Sequence, residues 1–121
     1  MAPQEVPVKL YKSDRRVTLA AAMPGLEPQD ISIDMNQDGQ LTLRAEERGR
    51  FKGENEIIMD EWNPGAYFRS IPLNTAVDAT AADASYENGV LVVSLPISDS
   101  YQAGSIRLAR VGPTEGKARG T

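Results

Sequence analysis

The stretch Ala84-Ser85-Tyr86-Glu87-Asn88-Gly89-Val90-Leu91-Val92-Val93-Ser94-Leu95-Pro96 reads as a β-hairpin. Its Asn-Gly pair supplies the two positive-φ residues of a tight type I′ turn, and an apolar strand leaves that turn. Outward from it, the hydrophobic period is two almost everywhere. Val17, Leu19 and Ala21 alternate with Thr18 and Ala20 as far as a Pro24-Gly25 break. Ile31, Ile33 and Met35 alternate with Ser32 and Asp34. Asp38-Gly39 then turns the chain into Leu41-Thr42-Leu43-Arg44, so residues 31–47 form a second hairpin. Tyr67, Arg69, Ile71 and Leu73 share one face of a further strand, and Pro72 marks its edge or its end.

Glu56–Trp62 is a short strand candidate, closed by Asn63-Pro64-Gly65. The Ala-rich Val77–Ala84 is the one helix candidate. It is too short to stand alone and is expected as a turn or a single helical turn. Roughly seven or eight short strands separated by turn signals give an all-β, antiparallel sandwich. Residues 1–7, with two prolines, form a short arm, and residues 8–96 form the domain. The polar, Gly-rich residues 97–121 form an extension whose last ten residues are expected to be mobile. The charged, Gly-punctuated residues 48–55 form a loop.

Composition narrows the function. A chain of 121 residues is one domain at most. It has no cysteine, which fits a reducing compartment and a cytoplasmic location. It has no histidine either, which removes the usual general base and the commonest transition-metal ligand. A net charge of −4 with scattered Lys and Arg gives no footprint for nucleic acid. No apolar run approaches a membrane span, and Met1-Ala2-Pro3-Gln4-Glu5 lacks the layout of a signal peptide.

Asp34-x-Asn36-x-Asp38-Gly39 imitates the start of a calcium loop, but Ala45 stands where a bidentate Glu is needed and the flanks are strands. It is expected as a turn. The neighbouring carboxylates Glu46-Glu47 and Asp60-Glu61 point to opposite strand faces and do not converge. Without histidine there is no Ser-His triad, and no phosphate-cradling Gly loop occurs. These features predict no enzyme and no cofactor or metal. Arg69 shares its face with three apolar residues. It is either an edge arginine with a wet guanidinium or one arm of an ion pair with a second chain. Ile106-Arg107-Leu108 is an apolar island in the polar tail. It is either a last strand of its own domain or a pair of side chains aimed one way for strand addition to a sheet edge.

Ala84, Asn88-Gly89-Val90-Leu91 and Leu95-Pro96 combine with Tyr67-Phe68-Arg69-Ser70-Ile71-Pro72-Leu73, Met23-Pro24-Gly25-Leu26 and the hairpin at 31–47. In this order and spacing, from about Val8 to Pro96, they resemble the α-crystallin domain of the small heat shock (Hsp20) proteins. The resemblance implies an immunoglobulin-like β-sandwich built as a dimer. It also implies an ATP-independent chaperone that holds partly unfolded client proteins and limits their aggregation. Ile57, Ile58, Met59, Glu61 and Trp62 would lie in the short strand that bacterial, archaeal and plant members exchange between partners. Arg69 would be the motif arginine at that dimer interface.

Ile106 and Leu108 would correspond to the family's Ile-x-Ile/Val tail motif, which docks on a neighbouring subunit; Leu108 departs from the usual β-branched residue. The expected groove for tail or client has Ile31, Ile33 and Met35 on one wall and Ala84 and Tyr86 on the other, with Ser98–Ser105 as the tether. Family members usually carry a long apolar-rich arm, and about seven residues precede the first strand here, which counts against large cages. The alternative is a p23-like co-chaperone or adaptor with the same sandwich, which a stable dimer would disfavour.

Overall fold

The structure is a computed structural model that describes residues 4–46, 56, 58–59, 66–108 and 110–111. Among the described residues the alternating segments become strands β1 (Gln4–Glu5), β2 (Val8–Lys12), β3 (Arg16–Ala22), β4 (Ile31–Met35), β5 (Gln40–Glu46), β6 (Ala66–Pro72), β7 (Asp83–Glu87), β8 (Val90–Pro96), β9 (Gly104–Ser105) and β10 (Arg110–Val111). They form two five-stranded sheets, ordered β1-β6-β5-β4-β9 and β10-β7-β8-β3-β2. The long pairings are antiparallel. Only the short terminal strands break the pattern: β1 runs parallel to β6 and β10 parallel to β7.

Period two puts one side of each strand into the space between the sheets. Val17, Leu19 and Ala21 of β3 meet Leu91, Val93 and Leu95 of β8 in register, and Leu41, Leu43 and Ala45 of β5 face them from the other sheet. All nine are buried. The expected sandwich is therefore present, with two-residue strands added at its rims.

Both hairpin turns follow from their residues. Asn88 (φ 55°) and Gly89 (φ 80°) occupy the two left-handed positions between Glu87 and Val90. In the β4–β5 turn, Asn36 Oδ1 accepts from the amides of Asp38 (2.9 Å) and Gln40 (3.0 Å). Gly39 there has φ 84°, and a Cβ on it would lie 2.6 Å from the ring of Tyr101. Both backbone angle and space demand glycine. The string that imitates a calcium loop is thus a turn capped by its own asparagine. The helix candidate at 77–84 is one 3-10 turn, Ala79–Ala81, capped by Asp78, after which β7 begins.

Each open side of the sandwich is closed by a terminal segment that changes sheets. At one side the chain leaves β1 in the first sheet, passes Val6-Pro7 and enters β2 in the second. At the other, β9 lies along β4 in the first sheet and β10 along β7 in the second. The tether expected at Ser98–Ser105 is corrected by this arrangement. Ser98 donates to Ala76 O (2.9 Å), Gln102 exchanges bonds with Val77 and Ala79, and Tyr101 Oη donates to Leu73 O (2.5 Å). A polar segment stays on the body here because its amides find carbonyls exposed beyond the ends of the long strands. The last ten residues, expected to be mobile, lie outside the described residues.

Candidate functional site

The residues predicted to line a groove between β4 and β7 lie in the core beside the tail of their own chain. Ile33 and Met35 of β4 and Ala84 and Tyr86 of β7 are buried in one apolar cluster, with Ile31 half-buried at its rim. Ile106 completes that cluster, and its amide donates to Ile33 O at 2.8 Å. It is only 7% exposed. Two β9 residues pair with Asp34 and Met35, and Ser105 Oγ adds a bond to Asp34 Oδ1. Leu108 is half-buried against the same cluster. Further on, the backbone of Arg110–Val111 pairs with Ser85 and Tyr86. The two predicted walls thus receive the predicted tail, but the tail comes from the same chain. An open depression of about 500 Å³ remains beside it, lined by Pro28, Ile31, Ile33, Ile106 and Leu108.

Arg69 takes up an arrangement that neither sequence reading anticipated. Its Nη1 donates to the Val6 carbonyl at 2.7 Å, and its Nε lies 3.9 Å from Glu5 Oε2. The guanidinium of β6 therefore holds the N-terminal strand of its own chain. Glu5 is largely exposed, so the ion pair contributes little and the carbonyl bond is the specific contact.

Of the residues expected in an exchanged strand, Ile57, Glu61 and Trp62 lie outside the described residues. Glu56, Ile58 and Met59 are described, and none belongs to a strand. Ile58 is 95% and Met59 74% exposed. Two apolar side chains in water are an unfavourable arrangement unless something covers them. On the body, β2 is the edge of its sheet, and its Leu10 and Tyr11 are 43% and 53% exposed. A pocket of about 250 Å³ adjoins them, lined also by Val17, Pro72 and Leu73.

Chemically, the surface offers apolar area and unpaired backbone edges. Among the described residues no three acidic side chains gather to hold a metal ion. Nor is any helix among them long and apolar enough to cross a membrane.

A family model described as the Hsp20/alpha crystallin family matches residues 9–109. The chain belongs to the Hsp20/alpha crystallin family. It is 34% identical over 87 residues to alpha-crystallin of Mycobacterium tuberculosis, spanning 69% of this chain and 56% of that protein. It is 28% identical over 97 residues to 18 kDa antigen 1 of Mycobacterium avium, spanning 80% of this chain and 65% of the relative. The chain therefore spans less than two thirds of the length of either curated relative. Among solved structures, a small heat-shock protein from Xylella fastidiosa has a TM-score of 0.66 at 26% identity, covering 93% of this chain and 100% of that one.

Membership of the Hsp20/alpha crystallin family gives the signature residues a structural meaning here. Asn88-Gly89 makes the turn, and Gly89 passes close to Pro24, where a Cβ would be 3.1 Å from the proline ring. The hydroxyls of Tyr67 and Tyr86 donate to Pro24 O (2.7 Å) and Met23 O (2.6 Å), tying the Met23-Pro24-Gly25 turn to both sheets. Two residues of the site escaped the sequence reading. Val6, fully buried, sat in a segment dismissed as an arm; its apolar alternation with Val8 was the available signal. Tyr101 was passed over as part of a polar tail, where a lone aromatic is itself a sign of packing.

Proposed function

We propose that this chain is an ATP-independent holdase: it captures extended apolar segments of partly unfolded proteins and so limits their aggregation. The observation that carries this reading is Ile106, buried just after the two-residue strand β9 and bonded through its amide to β4. Burying one isoleucine side chain is worth about 1.5–3 kcal/mol, less the cost of ordering the tail. Such a closure is reversible, and a client segment with an apolar residue in extended conformation satisfies the same groove. Specificity is low because a strand edge reads backbone and an apolar wall reads only size. The family relatives support the chaperone class. The absence of cysteine from the sequence supports a reducing, cytoplasmic setting.

The dimer belongs to the same proposal. The segment 56–62 of one chain adds to the open β2 edge of a second, covering Leu10 and Tyr11 with residues such as Ile58 and Met59. Exposed apolar side chains on both surfaces support this pairing. The Xylella protein is described as having a distinct high order structure, which favours self-association in this chain as well.

The test is light scattering of a heat-denaturing model client. Adding this chain without nucleotide should lower the scattering, and added ATP should change nothing. Protection that needs ATP, or no protection at a molar excess, would overturn the holdase reading.

A further inference from the structure

The tail seat at β4 and β7 has a counterpart on the opposite side of the sandwich, built from residues that the proposed function does not use. There the backbone of Gln4–Glu5 lies parallel to Tyr67–Phe68 at the free edge of β6. Val6 then drops between the sheets and is fully buried. Pro7 O accepts from the Ala22 amide at 3.3 Å, so the chain crosses to β3 of the other sheet within two residues. Arg69 closes the arrangement through the Val6 carbonyl.

We infer that this seam, between the β6 edge and the end of β3, is a second strand-binding groove. Residues 4–7 gate it, and its ligand is an extended polypeptide segment carrying one β-branched or small apolar residue. The cis occupant displays the chemistry that fits: an extended backbone, one apolar side chain pointing inward, and a carbonyl presented to Arg69. The contacts that hold it are few. Two paired residues, one buried valine, the arginine bond, a 3.3 Å bond at Pro7 and an exposed ion pair at Glu5 leave it at the low-stability end of the fold, where local opening is easiest. Opening exposes the β6 edge and the cavity left by Val6 together. Arg69 reads a backbone carbonyl, which every extended segment carries, so the groove is tolerant of sequence. The guanidinium is rigid and about a third exposed, so it can meet an incoming carbonyl without being rebuilt. This inference rests on the chaperone reading for its biological ligand, but the groove itself is tested without any client.

Val6→Asp in the full chain places a charge where the valine is buried and drives residues 4–7 out of the seam. The probe is a fluorescently labelled short peptide of alternating threonine and valine, with binding read by anisotropy. It should bind the Val6→Asp chain about tenfold or more tighter than the unaltered chain, because the cis competitor is gone. Adding Arg69→Ala to Val6→Asp should abolish that gain. Equal binding by the unaltered and Val6→Asp chains, or a gain indifferent to Arg69, would overturn the groove. So would a gain seen only with a peptide copying residues 1–8, which would make the seam a seat for a second copy of this chain. Should Val6→Asp fail to fold, amide exchange on the unaltered chain decides. The β1 amides and the edge amides of β6 should exchange together, well ahead of β5, and the threonine–valine peptide should slow the β6 amides while β1 stays fast. Exchange of β1 in step with β5, or no peptide effect on β6, would overturn the inference. Peptide binding without any suppression of client aggregation would support the groove and count against the chaperone reading alone.

Discussion

Gly39 is where backbone and tail meet. Its φ of 84° strains any residue with a Cβ, at about 1–2 kcal/mol. A Cβ would also push the Tyr101 ring away and break the Tyr101–Leu73 bond, worth about 1 kcal/mol more. Gly39→Ala should therefore lower stability by about 2–3 kcal/mol, read as a lower urea midpoint at unchanged slope. A loss below about 0.5 kcal/mol would mean the tail is not held there. At Arg69 the clamp on Val6 predicts a different signature from an interfacial ion pair. Arg69→Ala should cost about 1–3 kcal/mol, with a denaturation midpoint whose drop is independent of protein concentration. A drop of about 3–5 kcal/mol that shrinks at high concentration would instead place Arg69 across an interface. Its unusual position on an apolar strand face was legible in the sequence. Its partner was not, because a carbonyl 63 positions away carries no side-chain signal.

At the scale of elements, the two hairpins at 31–47 and 84–96 were readable because each couples period two to a turn with glycine at positive φ. The two-residue strands β1, β9 and β10 were not readable. Alternation needs about four residues to register, and parallel pairing is decided by tertiary position rather than by local pattern. The strands carrying Ile31–Met35 and Ala84–Tyr86 were legible; the route of the tail along them was not, since Ser98–Ser105 looks like a tether until its amides are seen paired. Replacing both Ile106 and Leu108 by Ser should destabilise the domain by about 2–4 kcal/mol and leave the sedimenting mass unchanged. Collapse of a larger species to dimers would show that the tail sits on a neighbouring subunit instead. Deleting residues 56–62 should convert a dimer to monomers by light scattering. An unchanged dimer would contradict strand addition at β2.

For the whole molecule, the two sheet-changing segments solve a problem common to sandwiches. Open sheet edges invite pairing with other chains. Here β1 shields β6, while β9 and β10 shield β4 and β7. Among the described residues β2 is the one strand of five or more residues that ends a sheet. The proposed holdase role needs edges that open to clients and close without them, and two-residue strands with one buried side chain just after them, Val6 after β1 and Ile106 after β9, have the right strength. The central claim is that displacement of the tail admits the client. The chain contains no cysteine, so one engineered disulfide can test it cleanly. Asp34 and Ser105 are directly paired across β4 and β9, with side chains already in contact. A chain carrying Asp34→Cys and Ser105→Cys, oxidised, pins the tail in its groove; dithiothreitol releases it. With a cysteine-free client, aggregation should proceed nearly unprotected beside the oxidised chain and be suppressed once the reductant is added. Equal protection by the oxidised and reduced chains would contradict the account.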